Sequence, residues 1–482
     1  MEKNQVRTRF APSPTGYLHI GGLRTALYSY LYAKKTGGKF ILRIEDTDQN
    51  RLVADSIDNI LKTMKEAGLF YDEGPDVGGD YGPYIQSQRK NEYLKYAKIL
   101  IEKGGAYYCF CSKERLENLP DANGARRYDK HCLSLSKEEV QKRIESGEPY
   151  VIRQNMPTEG ISSYTDAVFG EISVKNEELE DNILIKSDGM PTYNFANVID
   201  DHLMGINVVM RGTEYLTSTP KYNLLYDAFE WERPLYIHMP PIMRDKEHKL
   251  SKRDGAASYE DLIEKGYIKE AIINYIALLG WSPKNDKEKM SFEEMQQLFS
   301  IEGINRSPAI FDEIKLKWLN GLYIKEMDAD KFLQLATPYL DKSKAAGKYD
   351  YTKLAKLIQG RVEALTEIAD KVNFLEEFDN YDINLFENAK QKSSIDSAKK
   401  YLPKIISALT DLKQWDNTAL YTVLTSLAAN EGVKNSSILW TTRVAISGKE
   451  STPGGATELA DLLGKEKALK RLNFSLNLLG KE

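Results

Sequence analysis

The chain has 482 residues, a formal net charge of −5 at pH 7 and only three cysteines. A chain of this length is predicted to form about two to four domains with sizeable cores. Three cysteines are too few for a disulfide framework, the charged N-terminal residues lack the apolar segment of a secretory signal, and no apolar run reaches membrane-spanning length. We therefore expect a cytoplasmic protein without a membrane partner. The net charge neither indicates nor excludes an anionic partner, because acidic surface can offset a basic face.

The first elements along the chain are predicted to form a strand–helix–strand unit. Val6 to Ala11 is typical of a short strand, and Leu23 to Leu31 carries apolar side chains at helical spacing. Gly37 supplies a helix stop, and a second apolar strand, Lys39 to Asp48, ends in a cluster of carboxylates. Such units build parallel sheets, so we expect an α/β fold.

The sequence SPTGYLHIGGLR lies between the first strand and its helix. In parallel sheets a ligand lies beyond the carboxyl ends of the strands, where a helix N-terminus offers N–H groups to a phosphate. Gly21 and Gly22 would let a ring or a phosphate approach the backbone there, and His19 would donate a hydrogen bond to a phosphate oxygen. The turn favours a nucleotide site, although glycines that only permit a tight reversal would give the same pattern.

Two later stretches carry charges that need an explanation. An apolar strand ends at Arg211, and a buried arginine needs either a ligand or a structural ion pair. The run HKLSKRDGA, which contains Lys249, places three cations around a serine. Taken alone, that run is typical of a solvated loop.

The three cysteines, Cys109, Cys111 and Cys132, lie in one loop-rich stretch. Such a group is typical of a closed zinc site that organises a small module, while three reduced and unliganded thiols are the alternative. A zinc site needs a fourth ligand, for which the candidates are Tyr128 and His131. General zinc chemistry favours the imidazole.

The second half of the chain is predicted to be helical. From about Tyr259 on, the sequence is rich in Leu, Lys, Glu and Ala with helical periodicity, and all five histidines lie before it. We therefore expect an all-helical appendage with few chemically reactive side chains.

Four ordered blocks resemble the bacterial-type glutamyl-tRNA synthetases, a family of class I aminoacyl-tRNA synthetases. The blocks are RFAPSPTGYLHIGGLRTALYSYLYAKKTGGKFILRIEDTD, DGMPTYNFANVIDDHLMGINVVMRG, KLSKRDGA and TPGGATELADLLGKEKALKRL. HIGG and KLSKR resemble the paired ATP motifs of this class, with Leu250 where the family usually has Met or Ile. The resemblance covers almost the whole chain. It implies a Rossmann-like parallel-sheet catalytic domain with an inserted acceptor-binding domain, followed by an all-α anticodon-binding region.

The activity implied by the resemblance is that of a glutamate–tRNA ligase. The carboxylate of L-glutamate attacks the α-phosphorus of ATP, and a ribose hydroxyl at the end of tRNA(Glu) then takes the glutamyl group. Neither step needs an enzyme nucleophile, so catalysis depends on positioning and charge stabilisation. Mg²⁺ is expected to accompany the nucleotide. A non-discriminating form that also charges tRNA(Gln) is the alternative.

The resemblance also assigns residues to these tasks. His19, Lys249 and Lys252 are implied to be catalytic. The implied ATP-binding residues are His19, Gly21, Gly22, Lys249, Ser251, Lys252 and Arg253. The implied glutamate-binding residues are Arg9, Ser13, Glu45, Tyr193, Asn197 and Arg211.

Within the glutamate pocket, the resemblance implies two arginines for the two carboxylates. Arg9 would take the side-chain carboxylate, Arg211 the other one, and Glu45 the ammonium group. For the metal site, the spacing resembles a tyrosine-containing zinc site in some relatives of the family, which makes Tyr128 the fourth ligand beside the three cysteines. Arg361 is implied as an anticodon contact.

We expect five segments and a monomer. The segments are a first catalytic half over 1–84, the acceptor-binding insertion over 85–194, a second catalytic half over 195–245, a stem-contact region over 246–325 and a helical anticodon-binding region over 326–482. Two other classes are less compatible with the sequence. A small-molecule adenylyltransferase has no use for the long helical tail, and a tRNA-binding paralogue without ligase activity would be expected to lose its ATP motifs.

Overall fold

The computed structural model describes residues 5–119, 121–122, 125–126, 128–250 and 258–480. The chain divides into two compact units, of which one comprises Met1–Ile263 with Ile272–Asp312 and the other Glu264–Ala271 with Glu313–Glu482. The five segments expected from the sequence are finer than this division and stay a prediction.

The strands and helices are numbered in chain order. The strands are β1 (Arg7–Phe10), β2 (Lys39–Leu42), β3 (Ala106–Cys109), β4 (Asp121–Ala122), β5 (Ala125–Arg126), β6 (Val151–Gln154), β7 (Ile161–Asp166), β8 (Gly170–Lys175), β9 (Ile183–Ile185), β10 (Val208–Gly212), β11 (Leu235–Met239), β12 (Ile242–Met243) and β13 (Ala309–Ile310). The helices up to residue 312 are α1 (Ile20–Lys35), α2 (Ser56–Glu66), α3 (Lys90–Glu102), α4 (Lys113–Glu117), α5 (Lys137–Glu145), α6 (Tyr193–Leu203), α7 (Thr219–Phe229), α8 (Tyr259–Glu264), α9 (Lys269–Leu278) and α10 (Phe292–Leu298). The later helices are α11 (Glu313–Glu326), α12 (Ala329–Leu340), α13 (Tyr351–Ile358), α14 (Ile368–Asn373), α15 (Ile395–Thr410), α16 (Asn417–Asn430), α17 (Asn435–Ser447), α18 (Ala456–Leu463) and α19 (Lys465–Leu479).

The predicted strand–helix–strand unit is present at the start of the chain. Strands β1 and β2 are parallel, and α1 connects them. The second strand ends at Leu42, earlier than predicted, yet the chain stays extended beyond it. The N–H groups of Arg43 and Glu45 donate to the carbonyls of Phe10 and Pro12, both at 3.0 Å. This extension carries Glu45 to the carboxyl end of β1.

The other part of the central sheet brings three further strand ends to the same place. Strands β10 and β11 are parallel, with Arg211 opposite His238, and β11 meets the end of β7 in parallel at Asp166. Strand β8 pairs antiparallel with β7. The N–H of Asn207, directly before β10, donates to the carbonyl of Arg7 at 3.2 Å, so β10 lies beside β1. The carboxyl ends of β1, β10, β11 and β7 therefore form one edge, where ligands of α/β sheets bind.

A separate antiparallel sheet of β3, β6 and β9 lies in the segment between the two halves of the parallel sheet. It shares an apolar core with α3 and α6, to which Tyr93, Ile152, Leu184 and Phe195 belong. The sheet positions Cys109 at the end of β3.

The second unit is helical, as predicted. Its helices enclose one apolar core, to which Leu354, Ile405, Leu424, Leu459 and Leu472 belong, all fully buried. Along the described residues, the helices are too short or too polar to cross a membrane.

Asp200 on α6 is the centre of a buried polar cluster in the first unit. Its carboxylate is fully buried and accepts hydrogen bonds from Arg89 Nε at 2.7 Å, the Tyr93 hydroxyl at 2.8 Å and Gln86 Nε2 at 2.9 Å. A buried ion pair that loses one partner leaves an uncompensated charge, which is strongly destabilising.

We predict that Asp200→Asn lowers the free energy of unfolding by about 3 kcal/mol, because the buried Arg89 guanidinium loses its counter-charge. Urea unfolding of the unit that contains Asp200 measures this change. The matched control is Glu230→Gln, since the Glu230 carboxylate is exposed where it pairs with Lys103. The control is expected to unfold as the parent does, and an unchanged midpoint for Asp200→Asn would contradict the prediction.

Candidate active site

A buried ion-pair network lies at the carboxyl edge of the sheet. The Arg43 guanidinium donates to Asp201 Oδ1 at 2.8 Å and to Glu45 Oε1 at 2.9 Å. Arg9 Nε donates to the same Asp201 oxygen at 3.1 Å, and its Nη1 donates to the carbonyl of Met210 at 3.2 Å. The structure thus brings the predicted residues Arg9 and Glu45 into one network, linked by two residues that the sequence analysis did not select.

The two carboxylates of this network differ in how far neighbouring arginines compensate their charge. Burial would raise the pKa of Asp201, but Arg9 and Arg43 together hold it below its ordinary value. Burial raises the pKa of Glu45, and Arg43 and Arg9 offset this only in part. Glu45 therefore carries the less compensated charge, which an ammonium group beside it would balance.

Arg211 differs from the two arginines of this network. It is buried at the end of β10, where Nε donates to His238 Nε2 at 3.2 Å and Nη2 donates to the Thr219 hydroxyl at 2.6 Å. Three tyrosine rings surround its guanidinium, with centroids 4.8 to 5.4 Å away. Among the described residues, no carboxylate forms an ion pair with Arg211. A buried cation with neutral partners keeps a charge that an anionic ligand can balance.

The predicted polar lining comes mainly from α6. The ring of Tyr193 lies 5.5 Å from that of Tyr215, and burial raises the pKa of Tyr193 well above its ordinary value, with Glu45 adding to the rise and Arg211 opposing it. Tyr193 is therefore near both charged groups. Asn197 is buried, and its Nδ2 donates to the carbonyl of Tyr193 at 2.7 Å, so this donor serves the helix.

Ser13 is exposed beside the same edge. Its neighbour Pro12 accepts from the N–H of Glu45, which places Ser13 next to the Glu45 backbone.

The predicted nucleotide turn forms the N-terminus of α1. His19 is the N-cap, and its Nδ1 accepts from the N–H of Gly21 at 3.1 Å, which makes Nε2 the protonated nitrogen of a neutral ring and hence a donor. A Cβ on Gly22 would lie 3.0 Å from Leu18 Cδ1, so the space at Gly22 accommodates the protein's own side chain. At Gly21 a Cβ would meet only the His19 ring, at an ordinary contact distance of 3.4 Å.

The KLSKR motif, residues 249–253, is only partly within the described residues. Lys249 is exposed and forms an antiparallel bridge with Met243. Ser251, Lys252 and Arg253 lie outside the described residues. Ser258, the first described residue after this gap, forms an antiparallel bridge with His19.

The cysteine cluster is as compact as predicted. The three sulfurs lie within 4.8 Å of one another, and the Tyr128 hydroxyl lies 3.2 Å from Cys109 Sγ and 3.5 Å from Cys111 Sγ. Among the described residues, no histidine nitrogen lies in this cluster, and His131 is exposed. Burial raises the pKa of the Cys111 thiol to about 11, whereas burial of Cys109 is outweighed by hydrogen bonds, first from Tyr128, so that its pKa is lowered.

Arg361 belongs to the helical unit. It is exposed at the end of the 3₁₀ turn Gln359–Arg361 that follows α13, where it is accessible to a partner.

Sequence reasoning missed three residues of the site: Arg43, Asp201 and His238. Each left a signal, because each places a charged or titratable group inside an apolar run, in FILRIED, ANVIDDHL and LYIHM. A polar group at such a position needs a buried partner.

Comparisons with known proteins match almost the whole chain to one family. Residues 5–318 match the family model of the catalytic domain of class I tRNA synthetases for E and Q, and residues 331–476 match an anticodon binding domain. The glutamate–tRNA ligase of Clostridium kluyveri is 53% identical over 479 residues, which cover 98% of both chains. That of Clostridium acetobutylicum is 54% identical over 489 residues and 100% of both chains.

A solved structure shows the same fold. The glutamate tRNA ligase from Elizabethkingia meningosepticum, crystallised in complex with its amino acid, is 34% identical with a TM-score of 0.88, over 98% of this chain and 99% of that one. From the full-length identity, the two domain matches and the shared fold, this chain belongs to the glutamate–tRNA ligases, a family of class I aminoacyl-tRNA synthetases.

Proposed function

We propose that the edge of the parallel sheet binds L-glutamate and activates it with ATP. The observation that carries the proposal is the buried Arg211, whose hydrogen-bond partners are neutral and whose charge is available for one carboxylate of glutamate. Arg9 would bind the other carboxylate, which the family pattern assigns to the side chain, and Glu45 the ammonium group. The Elizabethkingia relative, crystallised with its amino acid, supports this choice of ligand.

The nucleotide would bind at the N-terminus of α1, beside this pocket. The helix N-terminus and the donor at His19 Nε2 would bind phosphate oxygens, with Gly21 and Gly22 in the same turn. Lys249, Ser251, Lys252 and Arg253 are proposed to stabilise the pentavalent phosphorus and the leaving pyrophosphate. Mg²⁺ would neutralise phosphate charge when bound with the nucleotide.

The reaction then needs no covalent bond to the enzyme. A glutamate carboxylate oxygen attacks the α-phosphorus, and the bond to pyrophosphate breaks. A ribose hydroxyl of tRNA(Glu) next attacks the activated carbonyl, and AMP leaves. Binding the three charged groups of glutamate at fixed positions supplies the orientation that this sequence requires.

The cysteine cluster is proposed to hold a structural zinc ion. Cys109, Cys111 and Cys132 supply three sulfurs and Tyr128 the fourth donor, which fits the closed four-ligand sites that zinc prefers. The ion would crosslink β3 with the chain around Tyr128 in the inserted segment. Keeping these thiols reduced is consistent with the cytoplasmic location expected from the sequence.

The helical unit is proposed to bind the anticodon arm. The anticodon binding domain model matches residues 331–476, and Arg361 is exposed within that range. tRNA(Glu) is the proposed partner, with tRNA(Gln) as the alternative. That the enzyme acts as a monomer stays a prediction from the sequence.

We predict that Arg211→Gln raises the KM for glutamate by about a hundredfold, because glutamine keeps a donor for Thr219 but removes the charge that binds the carboxylate. ATP–pyrophosphate exchange with tRNA(Glu) present measures this change, and the KM for ATP should stay within a few-fold. Arg233→Gln is the matched control, since Arg233 pairs with Asp227 at the surface of the same unit. An unchanged KM for glutamate in Arg211→Gln would exclude Arg211 from the pocket.

We predict about one zinc ion per chain in protein purified without chelator, because three sulfurs and the Tyr128 hydroxyl would supply the four donors that a structural zinc site needs. Cys132→Ser should lose the metal, and Tyr128→Phe should bind it more weakly in competition with a chromogenic chelator. His131→Ala is the matched control and should retain the ion. Loss of zinc from the control, or its absence from the parent, would contradict the proposed ligands.

We predict that labelled glutamate is transferred to purified tRNA(Glu), and that Arg361→Gln lowers kcat/KM for this tRNA by about tenfold through loss of a charge-assisted contact. The KM for glutamate at saturating tRNA should not change. A parallel assay with tRNA(Gln) separates a discriminating enzyme from one that charges both. Unchanged kinetics for Arg361→Gln would remove this residue from the interface.

A further inference from the structure

A second layer of buried polar residues lies behind Arg211. His238, on β11, accepts from Arg211 Nε through its Nε2 atom, and its Nδ1 lies 2.7 Å from Oδ2 of Asp166 at the end of β7. The side chains of His238 and Asp166 are both completely shielded from solvent. They are therefore held in fixed positions directly behind the guanidinium.

The contacts determine the protonation state of His238. A guanidinium group only donates hydrogen bonds, so Nε2 of His238 must accept with its lone pair and carry no proton. The ring proton is then on Nδ1, which donates to Asp166. Burial lowers the pKa of His238, and Arg211 lowers it further, against the opposing effect of Asp166. His238 is therefore a neutral imidazole in one defined tautomer.

Asp166 is fully engaged as an anion. Its Oδ1 accepts from the N–H groups of Val168 and Phe169, both at 2.9 Å, and its Oδ2 accepts from the backbone N–H of His238 at 3.1 Å and from Nδ1. These four hydrogen bonds use both oxygens, so the charge of Asp166 fixes the imidazole instead of pairing with Arg211.

The other partner of Arg211 is neutral as well. The Thr219 hydroxyl donates to the carbonyl of Tyr215 at 2.7 Å, so its oxygen accepts from Arg211 Nη2. Two nitrogens of Arg211 are thus held by neutral acceptors, so no carboxylate of the described residues pairs with its charge. Arg9, in contrast, forms an ion pair with Asp201.

We infer that Asp166 and His238 are positioning residues that hold Arg211 through a neutral acceptor, so that its full charge stays available to a carboxylate of the substrate. The inference rests on the proposed function, in which Arg211 binds glutamate. A carboxylate at position 238 would hold the guanidinium equally well but would neutralise it. Because Asp166 holds His238 as a neutral acceptor, the pair contributes to the preference for an anionic amino acid.

The first test compares two variants of His238 by ATP–pyrophosphate exchange in the presence of tRNA(Glu). His238→Leu removes the acceptor and should raise the KM for glutamate by about tenfold to a hundredfold, with little change in the KM for ATP. His238→Gln offers both a donor and an acceptor and should restore most of the affinity. Equal effects on both Michaelis constants would indicate a merely structural role and overturn the inference.

A double-mutant cycle separates this inference from the proposed function. If His238 acts through Arg211, His238→Leu should add little to the KM for glutamate in the Arg211→Gln background. An additive effect would overturn the inference. An Arg211→Gln variant with the parental KM would instead overturn the proposed function. A raised KM in Arg211→Gln with a parental KM in His238→Leu would overturn the inference alone.

A spectroscopic measurement keeps the inference testable if His238→Leu does not fold. The chain has five histidines, so ¹⁵N-labelled histidine gives few ring signals, and the His238 signals are those absent from His238→Gln. The expected result is a neutral ring protonated at Nδ1. In Asp166→Asn the amide would face two N–H donors, and the ring should change tautomer while the KM for glutamate rises. A ring protonated at Nε2 in the parent would overturn the inference.

Discussion

The fold of the first unit depends on the burial of one guanidinium group, that of Arg43. It has no exposed surface, and it contacts Glu45 and Asp201 while Asp200 lies 3.9 Å away. An isolated charge in such a place would be prohibitively costly, so the end of β2 and helix α6 must close together around it. Asp201 then orients Arg9, and the same turn of α6 presents its polar side chains to the sheet edge. The arrangement of the proposed pocket therefore follows from the need to pair the buried charge of Arg43.

The arginines in this region differ in how far the protein compensates their charge. Arg9 and Arg43 share the carboxylate of Asp201, which compensates part of their charge, whereas Arg211 has hydrogen bonds and aromatic rings but no ion pair among the described residues. Specificity for an anion depends on the charge that the protein leaves uncompensated rather than on the number of cations nearby. The three tyrosine rings help here, because a ring face stabilises a cation without neutralising it.

Much of this architecture follows from local sequence patterns. The strand–helix–strand unit, the glycine turn, the helical second half and the three-cysteine cluster each depend on residues close in the sequence, and the structure confirms them. The partners of the charged residues could not be obtained in this way, because Arg9 meets Asp201 and Asp166 meets His238 across long stretches of chain. The spacing of Tyr128 and His131 also leaves both as candidates, because it does not show which of the two side chains turns toward the sulfurs.

Helix α2 contacts the residue before His19 and also Glu260, although it carries no predicted site residue. Asn59 accepts from the N–H of Leu18, just before His19, and also donates to Glu260, which follows the KLSKR motif in the chain. Thr63, one turn later, donates to the same Glu260 oxygen at 2.7 Å. Selection on the proposed nucleotide turn would therefore extend to a helix for which we propose no substrate contact. Asn59 and Thr63 should therefore vary less among related sequences than other polar helix residues do. A substitution at either position should be accompanied by a substitution at position 260.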